Sequence, residues 1–355
     1  MNKCLVLHIL ASNKYSGAEN VATTIISNMN RTDDYKGVYV SPRGSIEKTL
    51  KNMNVKYEGI EKLTCREIRR VVKKLNPDII HAHDFRTSII CWLSGIKLPI
   101  ISHIHNNPPW IKKINPLSFM YWISSYRYSK IILVSDAIIK EYIFAKSIKN
   151  KIYIIGNPNN LDRIKVLSNK KDIEERYDVI FIGRLTKQKN PLRFIDIISE
   201  SSKEFPLIKV AMIGDGELKE ECEDHIKERK LTKNIKLFGF LDNPYAILKH
   251  SKVMIMTSDW EGYGLVAIEA MSLGIPVLAT PVGGLVDIVD NEWGRICNSN
   301  SEFVEELKNL ILDEWYLKSK SQASLKKVVD FDNLNRYMSN LESIYLKIND
   351  DRNKK

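Results

Sequence analysis

Long hydrophobic runs and clustered cysteines are both missing from this sequence. No apolar segment approaches the ~18–20 residues that a membrane-spanning helix needs, so we expect no such helix. The five cysteines are scattered without metal-ligand spacing, which predicts reduced thiols, a cytosolic location and no zinc site. The start, MNKCLVLHILAS, has a short apolar run with no small-residue cleavage site behind it, and it predicts a buried first strand rather than a signal peptide.

Acidic residues are scarce in the first half of the chain. Residues 1–157 contain 24 Lys and Arg against 11 Asp and Glu, whereas the remainder contains 30 against 32, so the first half supplies the net charge of +11. Such an excess predicts an anionic partner: a phosphate-bearing substrate, a membrane surface or nucleic acid. No nucleic-acid motif accompanies the basic residues, so we predict no nucleic-acid partner. The glycine loops fit neither GxGxxG nor the P-loop.

Short apolar runs alternate with amphipathic stretches in two series. The first series holds the predicted strands CLVLHILA, GVYVS, PDIIHAH, PIISHIH and KIILVSD, and the second holds YDVIFIGR, LIKVAMIGDG, IKLFGF, SKVMIMTS and PVLATP. This alternation predicts an α/β protein with two Rossmann-like, doubly wound parallel sheets. We expect ligands in a central cleft between the two domains, at the carboxyl ends of the strands.

The predicted domains cover residues 1–157 and 158–332, and 333–355 form a last helix and tail that return to the first domain. The polar stretch IGNPNNLDRIKVLSNKKDIEER is predicted to be the linker. The aromatic segment WIKKINPLSFMYWISSYRYSK, residues 110–130, is predicted to be core rather than a membrane anchor.

Two carboxylates, Glu261 and Glu269, mark the most informative stretch, EGYGLVAIEAMSLGIPVLATPVGG. Glycines follow Glu261, and a helix is predicted over about 265–273, which places Glu269 one turn inside it. Carboxylates suit pairs of hydroxyls, and the N–H groups of residues 263–265 at the helix start suit phosphate. The combination predicts a sugar nucleotide as the ligand.

Other loops that follow predicted strands also suit phosphate. SGAEN carries Gly17 at a helix start, GRLTKQKN carries Arg184 and Lys189, and GDGEL follows a third strand. Such turns let backbone N–H groups approach an anion, although glycine is common in them for other reasons. Arg184 and Lys189 are predicted to meet the diphosphate.

These residues together resemble the retaining glycosyltransferases of the GT-B fold that have the E-x7-E motif, the glycosyltransferase family 4-like or group 1 enzymes. The resemblance is specific in the second half, through Glu261 and Glu269, GRL…K, IGDGEL and SLGIPVLATPVGG. It is weaker in the first half, through SGAEN, HAHD and SHIH. The serine at position 16, where the family commonly has glycine, departs from the pattern.

The resemblance implies a set of site residues. Those implied to be catalytic are His105, Arg184, Lys189 and Glu261. Those implied to bind the donor are Gly17, Arg184, Lys189, Phe240, Glu261, Gly262, Tyr263, Gly264, Leu265 and Glu269. In that scheme Glu269 binds the ribose, Phe240 lines the base pocket, and His105 lies beside the anomeric carbon of the donor sugar. The family uses no metal ion and no cofactor.

The sequence therefore predicts a metal-independent transferase that moves a sugar from a UDP- or GDP-sugar to a glycan or lipid-linked acceptor. Surface polysaccharide or cell-envelope glycan assembly is the expected setting. A sugar-nucleotide epimerase on a similar fold and a non-catalytic partner subunit are the alternatives. The basic first domain also predicts peripheral binding to the inner face of an anionic membrane, through the basic side of the helix CREIRRVVKKL. A freely soluble enzyme is the equally weighted alternative. The basic residues of that face are Arg66, Arg69, Arg70, Lys73 and Lys74.

Overall fold

The computed structural model describes residues 3–31, 34–170 and 174–353. The chain forms two compact units: unit 1 contains residues 1–158 and 334–355, and unit 2 contains residues 159–333. Residues 1–2, which precede the predicted first strand, residues 171–173 of the predicted linker and residues 354–355 of the predicted tail lie outside the described residues.

Unit 1 is built on a seven-stranded parallel sheet with the strand order β3-β2-β1-β4-β5-β6-β7. Its elements before the crossing to unit 2 are β1 (Cys4–Ile9), α1 (Gly17–Met29), β2 (Tyr35–Pro42), α2 (Ile46–Asn52), β3 (Tyr57–Ile60), α3 (Cys65–Leu75), β4 (Ile79–His83), α4 (Phe85–Leu93), β5 (Ile100–Ile104), α5 (Pro116–Ser125), β6 (Lys130–Leu133), α6 (Asp136–Glu141), α7 (Ala145–Ile148) and β7 (Ile152–Ile154). Strands β1, β4 and β5 are apolar along most of their length because helices cover both faces of such a sheet.

Unit 2 is built on a six-stranded parallel sheet with the order β10-β9-β8-β11-β12-β13. Its elements are α8 (Leu161–Ser168), β8 (Tyr177–Ile182), α9 (Pro191–Ser202), β9 (Val210–Ile213), α10 (Lys219–Glu228), β10 (Ile235–Gly239), α11 (Tyr245–Lys249), β11 (Ser251–Met256), α12 (Leu265–Ser272), β12 (Val277–Ala279), α13 (Leu285–Ile288), β13 (Gly294–Ile296), α14 (Asn300–Leu312) and α15 (Glu314–Lys327). The two doubly wound parallel sheets confirm the predicted fold class.

The last helix, α16 (Leu334–Asn353), belongs to unit 1. Its buried residues recur at helical spacing and are Tyr337, Met338, Leu341, Ile344, Tyr345 and Ile348. The Tyr345 hydroxyl lies 2.7 Å from Nδ1 of His81 on β4, which joins the end of the chain to the middle of the unit 1 sheet. Among the described residues, no helix combines the length and the apolar composition that crossing a bilayer requires.

The predicted linker was wrong in part, because helix α8 occupies its middle. The Asn160 side chain accepts a hydrogen bond from the Arg163 N–H at 2.9 Å and so begins the helix. Leu161 and Ile164 are buried in the core of unit 2. The polar composition of the segment hid these two apolar positions, which lie three residues apart on one helix face.

A close backbone approach fixes the loops that follow β8 and β9. Gly214 has φ +152°, and its N–H donates to the Gly239 carbonyl at 2.9 Å. A Cβ atom on Gly214 would lie 1.8 Å from the Gly183 carbonyl oxygen. Only glycine fits there, so this residue lets the GDGEL loop lie against the loop that carries Arg184.

We therefore expect Gly214→Ala to destabilise the protein by about 2–4 kcal/mol, because it adds backbone strain and a clash with a carbonyl group. Gly239→Ala is the matched control, since Gly239 also has a positive φ (+69°) but open space around its missing Cβ. It should cost only about 1 kcal/mol. Urea unfolding of both variants measures the difference, and equal losses would show that the close approach is unimportant.

Candidate functional site

The candidate site of unit 2 lies where the strand order of its sheet reverses. Strand β8 pairs with β9 on one side and with β11 on the other. The carboxyl ends of neighbouring parallel strands lie at the same edge, so the loop after β8, residues 183–190, and the loop after β11, residues 257–264, emerge side by side.

Hydrogen bonds join these two loops directly. The Thr257 hydroxyl donates to the carbonyls of Lys189 and Asn190 at 3.1 and 2.9 Å. The Asp259 N–H donates to the Gln188 carbonyl at 2.8 Å, and the Asn190 side-chain amide donates to the Asp259 carboxylate at 2.9 Å. The loop that carries Arg184 and Lys189 is thereby held against the loop that carries Glu261.

Lys189 and Glu261 form an ion pair across the two loops. Their side chains are only 15% and 12% exposed, so each charge depends strongly on the other. The Gly284 N–H, from the turn after β12, donates to the Glu261 carbonyl at 3.2 Å and fixes the backbone of that residue. The two residues were expected to contact different parts of a donor, and the structure shows that they also contact each other.

Arg184 is exposed, unlike Lys189. Its guanidinium donates to Oε1 of Gln188 at 3.0 Å, and the Gln188 side-chain amide donates to the Trp260 carbonyl at 3.1 Å. Gln188 is buried and joins Arg184 to the loop of Glu261. Sequence reasoning quoted Gln188 within GRLTKQKN but gave it no role, because its partner Trp260 lies 72 residues further on.

Glu269 lies in α12, as predicted, and its carboxyl faces α11. The Tyr245 hydroxyl donates to Oε1 of Glu269 at 3.0 Å. Burial raises the pKa of the Glu269 carboxyl to about 7, although the Tyr245 hydroxyl and the charge of Arg163 act in the opposite direction. The carboxyl therefore changes its charge near neutral pH. Nothing in the local sequence indicated Tyr245 as its partner.

The remaining residues of unit 2 that were predicted to bind the sugar-nucleotide donor lie at the starts and ends of helices and strands. Helix α12 begins at Leu265, and Gly264 before it has φ +98°, so the backbone turns sharply there. Gly262 and Tyr263 form the rest of that turn. Phe240 follows β10 with 51% of its surface exposed, which leaves its ring accessible, and its base-pocket role stays a prediction.

Gly17 and His105 belong to unit 1. Gly17 is the first residue of α1, and the space around its missing Cβ is open. The hydroxyl of Ser16 donates to the Glu19 carboxylate, so its proton is already engaged within unit 1. This contact accounts for the serine: it holds the first turn of α1 through a buried carboxylate.

His105 ends a line of hydrogen-bonded histidines that sequence reasoning missed. Nδ1 of His8 lies 3.1 Å from Nε2 of His83, and Nδ1 of His83 lies 2.8 Å from Nε2 of His105. Nε2 of His81 lies 3.0 Å from Nδ1 of His103, and His81 also contacts Tyr345 of α16. Residues two apart on a strand share a face, so the pairs in HAH and HIH place four imidazoles together, and β1 adds His8.

Burial lowers the pKa of His105 to about 3 and lowers the pKa values of His81, His83 and His103 well below their usual range. His105 is therefore neutral near pH 7, when it can donate or accept a hydrogen bond. Its backbone N–H donates to Asp84 at 3.0 Å, which fixes the chain at that point.

The same histidines are the described residues best placed to hold a metal ion. Two groups share His83, one with His8 and His81 and the other with His103 and His105, and the potential ligand atoms of each group lie within 4.8 Å of one another. The ring nitrogens already bond to each other, however, and a metal ion would have to replace those hydrogen bonds. Among the described residues, Nε2 of His8 and Nε2 of His103 are buried without a hydrogen-bond partner, so these hydrogen bonds hold the rings together but do not satisfy all of their nitrogens.

Two family models match the chain one after the other. Residues 15–163 match the model described as "Glycosyltransferase Family 4", and residues 163–327 match "Glycosyl transferases group 1". The chain belongs to the GT-B glycosyltransferases. It has glycosyltransferase activity, as the sequence predicted.

Curated relatives are glycosyltransferases in bacteria and archaea. The "Uncharacterized glycosyltransferase MJ1059" of Methanocaldococcus jannaschii is 33% identical over 60% of this chain, which spans 58% of that protein. The "UDP-Gal:alpha-D-GlcNAc-diphosphoundecaprenol alpha-1,3-galactosyltransferase" of Escherichia coli is 27% identical, with 78% and 77% covered. The "Capsular polysaccharide biosynthesis glycosyltransferase CapH" of Staphylococcus aureus is 26% identical, with 96% and 97% covered.

Solved structures share the fold over nearly the full length. The crystal structure of Anabaena Alr3699/HepE in complex with UDP and glucose superposes with a TM-score of 0.84 and 17% identity, with 97% of this chain and 100% of that chain covered. At this identity the similarity shows the GT-B architecture, and the roles of individual residues have to be argued from their chemistry.

The raised pKa of Glu269 predicts a pH-dependent stability. The folded protein holds this proton up to about pH 7, whereas the unfolded chain releases it near its ordinary value of 4.5, so stability is lost as the pH rises between the two. Glu269→Gln removes this loss. We expect its Tm relative to wild type to increase by ~2–6 °C from pH 5 to pH 8.

The control for this experiment is Glu223→Gln, which neutralises an exposed carboxylate on α10 of the same unit. Its Tm difference from wild type should stay constant over that range. If Glu269→Gln behaved like this control, the carboxyl would not be buried as described.

Proposed function

We propose that this glycosyltransferase moves a sugar from a nucleotide diphosphate-sugar to a glycan or lipid-linked acceptor, with retention of anomeric configuration, in surface polysaccharide or cell-envelope glycan assembly. One observation carries the proposal: the loop with Arg184 and Lys189 is bonded to the loop with Glu261 at the point where the unit 2 strand order reverses. Ligands of such sheets bind at that point. The capsule and diphosphoundecaprenol names of the relatives support the setting.

In this proposal unit 2 holds the donor. Glu269 accepts hydrogen bonds from the ribose hydroxyls, and Phe240 lines the base pocket. Glu261, with the turn of Gly262, Tyr263 and Gly264 and the start of α12 at Leu265, holds the donor sugar and the diphosphate. The UDP and UDP-glucose in the structures of similar fold support a uridine nucleotide, with a guanosine nucleotide as the alternative.

The main chemical task is the stabilisation of the departing diphosphate. Negative charge grows on its oxygen as the bond to the anomeric carbon breaks, and fixed cations near that oxygen lower the barrier. Arg184 is exposed and hydrogen-bonded to Gln188, whereas Lys189 is largely buried and paired with Glu261. We propose that these two cations and the start of α12 supply the charge, without a metal ion, and that the acceptor attacks from the face that the diphosphate leaves.

Unit 1 is proposed to take the acceptor, with Gly17 closing over the donor. His105 would contact the reacting sugar through a neutral imidazole, because its low pKa excludes the charged form near neutral pH. A hydrogen bond with His83 orients the ring. We propose a cytoplasmic location, with reversible attachment to the inner face of the membrane when the acceptor is lipid-linked.

A donor screen by thermal shift tests the proposal. Wild-type protein and Glu269→Gln are heated with UDP- and GDP-sugars in excess chelator. We expect one nucleotide series to raise the Tm of wild type, more strongly at pH 8 than at pH 6, because the ionised Glu269 is the better acceptor of ribose hydroxyls. Glu269→Gln should lose most of this shift. No shift with any sugar nucleotide would contradict the proposal.

Turnover tests the roles of the two cations. We expect Arg184→Ala and Lys189→Ala each to lower kcat by ~10²–10³, with smaller changes in donor affinity, because they act on charge that develops in the transition state. Lys187→Ala is the control, since it removes an exposed cation from the same loop. Near-normal kcat for both variants would remove Arg184 and Lys189 from the mechanism, and activity that required magnesium or manganese would contradict metal independence.

A further inference from the structure

Helix α5 of unit 1 turns hydroxyl-bearing side chains inward and large apolar side chains outward. Its inward side carries hydroxyl groups: Tyr121 bonds to Ser102 at 2.8 Å, and Ser124 bonds to Tyr128 at 2.6 Å. Ser118 donates to the Lys113 carbonyl at 2.7 Å. Tyr121 therefore joins α5 to β5 through its hydroxyl, while its buried ring packs edge-on against Phe85 at a centroid distance of 4.6 Å.

The outward side of α5 and its flanks is apolar. We call these residues the α5 face; their large hydrophobic side chains are exposed, and they are Ile114, Leu117, Phe119, Ile123, Tyr126 and Ile143. Ile114 and Tyr126 are 72% and 62% exposed. The prediction that residues 110–130 are core was correct for Tyr121 and Tyr128 and wrong for Ile114, Leu117, Phe119, Ile123 and Tyr126.

Two members of the α5 face, Phe119 and Tyr126, are connected through the half-buried rings of Trp122 and Phe144. The ring centroids of Phe119 and Phe144 are 6.4 Å apart, and those of Trp122 and Phe144 are 5.2 Å apart. Trp122 also contacts Tyr126 edge-on at 5.9 Å. Single exposed apolar residues are common on proteins, but a contiguous set of this kind indicates a binding surface.

The surroundings of the α5 face are basic. Between residues 110 and 151 the chain carries eight Lys and Arg against two Asp and Glu. Lys113, Lys140, Lys146 and Lys149 are exposed, and Lys112 pairs with Glu141 at 3.1 Å. A surface of exposed aromatic and aliphatic side chains with a basic rim complements the interface of an anionic bilayer, where Tyr and Trp rings lie at the headgroups.

We propose that the α5 face inserts into the headgroup region of an anionic membrane and attaches the enzyme to it. The helix is already formed before it meets lipid, because Asn115 and Ser118 complete a capping box and Pro116 occupies the first turn. Binding therefore needs no folding step. The purpose of the attachment, access to a lipid-linked acceptor, rests on the proposed function, but the attachment itself does not.

The basic face of α3 is a weaker anchor than the sequence suggested. Arg70 pairs with Glu58 and Glu67, and Lys74 pairs with Glu58 at 2.7 Å. Arg69 donates to the Ser94 carbonyl at 3.2 Å. These contacts neutralise part of the charge of the helix, and the buried residues of α3 turn its apolar side inward.

Vesicle flotation tests the proposal with the full chain and without donor or acceptor. We expect wild type to bind mixed phosphatidylcholine–phosphatidylglycerol vesicles and to bind pure phosphatidylcholine far less, with weaker binding in high salt. Phe119→Ser with Ile123→Ser should weaken partitioning at least ~10-fold, because two large apolar side chains leave the interface. Leu312→Ser with Trp315→Ser, which changes two exposed apolar residues of unit 2, should bind like wild type.

Two further double variants distinguish membrane binding by the α5 face from binding by the basic side of α3. Lys113→Gln with Lys146→Gln should weaken binding to anionic vesicles, whereas Arg66→Gln with Lys73→Gln on α3 should have a smaller effect. Unchanged binding of Phe119→Ser with Ile123→Ser, or loss only in the α3 variant, would overturn the proposal. So would sedimentation velocity data in which the α5 face forms a protein dimer and no lipid is bound. The nucleotide-induced Tm shift should survive in the α5 variant, which separates this test from that of the donor site.

Discussion

The ion pair of Lys189 with Glu261 is the contact on which the candidate site of unit 2 depends. It joins the loop after β8 to the loop after β11, and both partners are largely removed from water. Removing either one leaves the other charge buried without compensation, which is more costly than the pair is stabilising. The hydrogen bonds of Thr257 and Asp259 to the same loop hold the backbone in the register that this pair needs.

This pairing also gives the two residues a shared role in the proposed reaction. A lysine that is held by a carboxylate keeps its position when no ligand is present, so little reorganisation is needed when charge develops on a leaving group. The side chain of Arg184 differs, since it is exposed and its guanidinium is hydrogen-bonded to Gln188 rather than paired with a carboxylate. A largely buried cation and an exposed cation together suit a site that has to bind a diphosphate and later release it.

Local sequence predicted the elements of the site better than it predicted their partners. The strand–loop–helix order around Glu261 and Glu269 could be predicted, because glycines mark the loop and apolar residues at helical spacing mark the helix. Helix α12 begins where it was expected. The role of Tyr245 could not be predicted, because its contact with Glu269 joins two helices, α11 and α12, through residues 24 apart in sequence. Helix α8 was missed because its two buried apolar residues, Leu161 and Ile164, are surrounded by Asn, Lys and Asp. The aromatic content of α5 was evident from the sequence, but the spacing of its residues does not show which side of the helix faces the sheet.

The hydrogen bond between Tyr345 and His81 has a consequence for the order in which the chain folds. Unit 2 is one uninterrupted stretch and can complete its core while the ribosome is still making the rest of the protein. Unit 1 cannot, because α16, whose Tyr345 contacts the buried His81 of its sheet, is synthesised only after unit 2. Until then, the buried side of α16 and the part of the sheet that it contacts lack each other. Unit 1 therefore completes its core after unit 2, although its first strand is made before any part of unit 2.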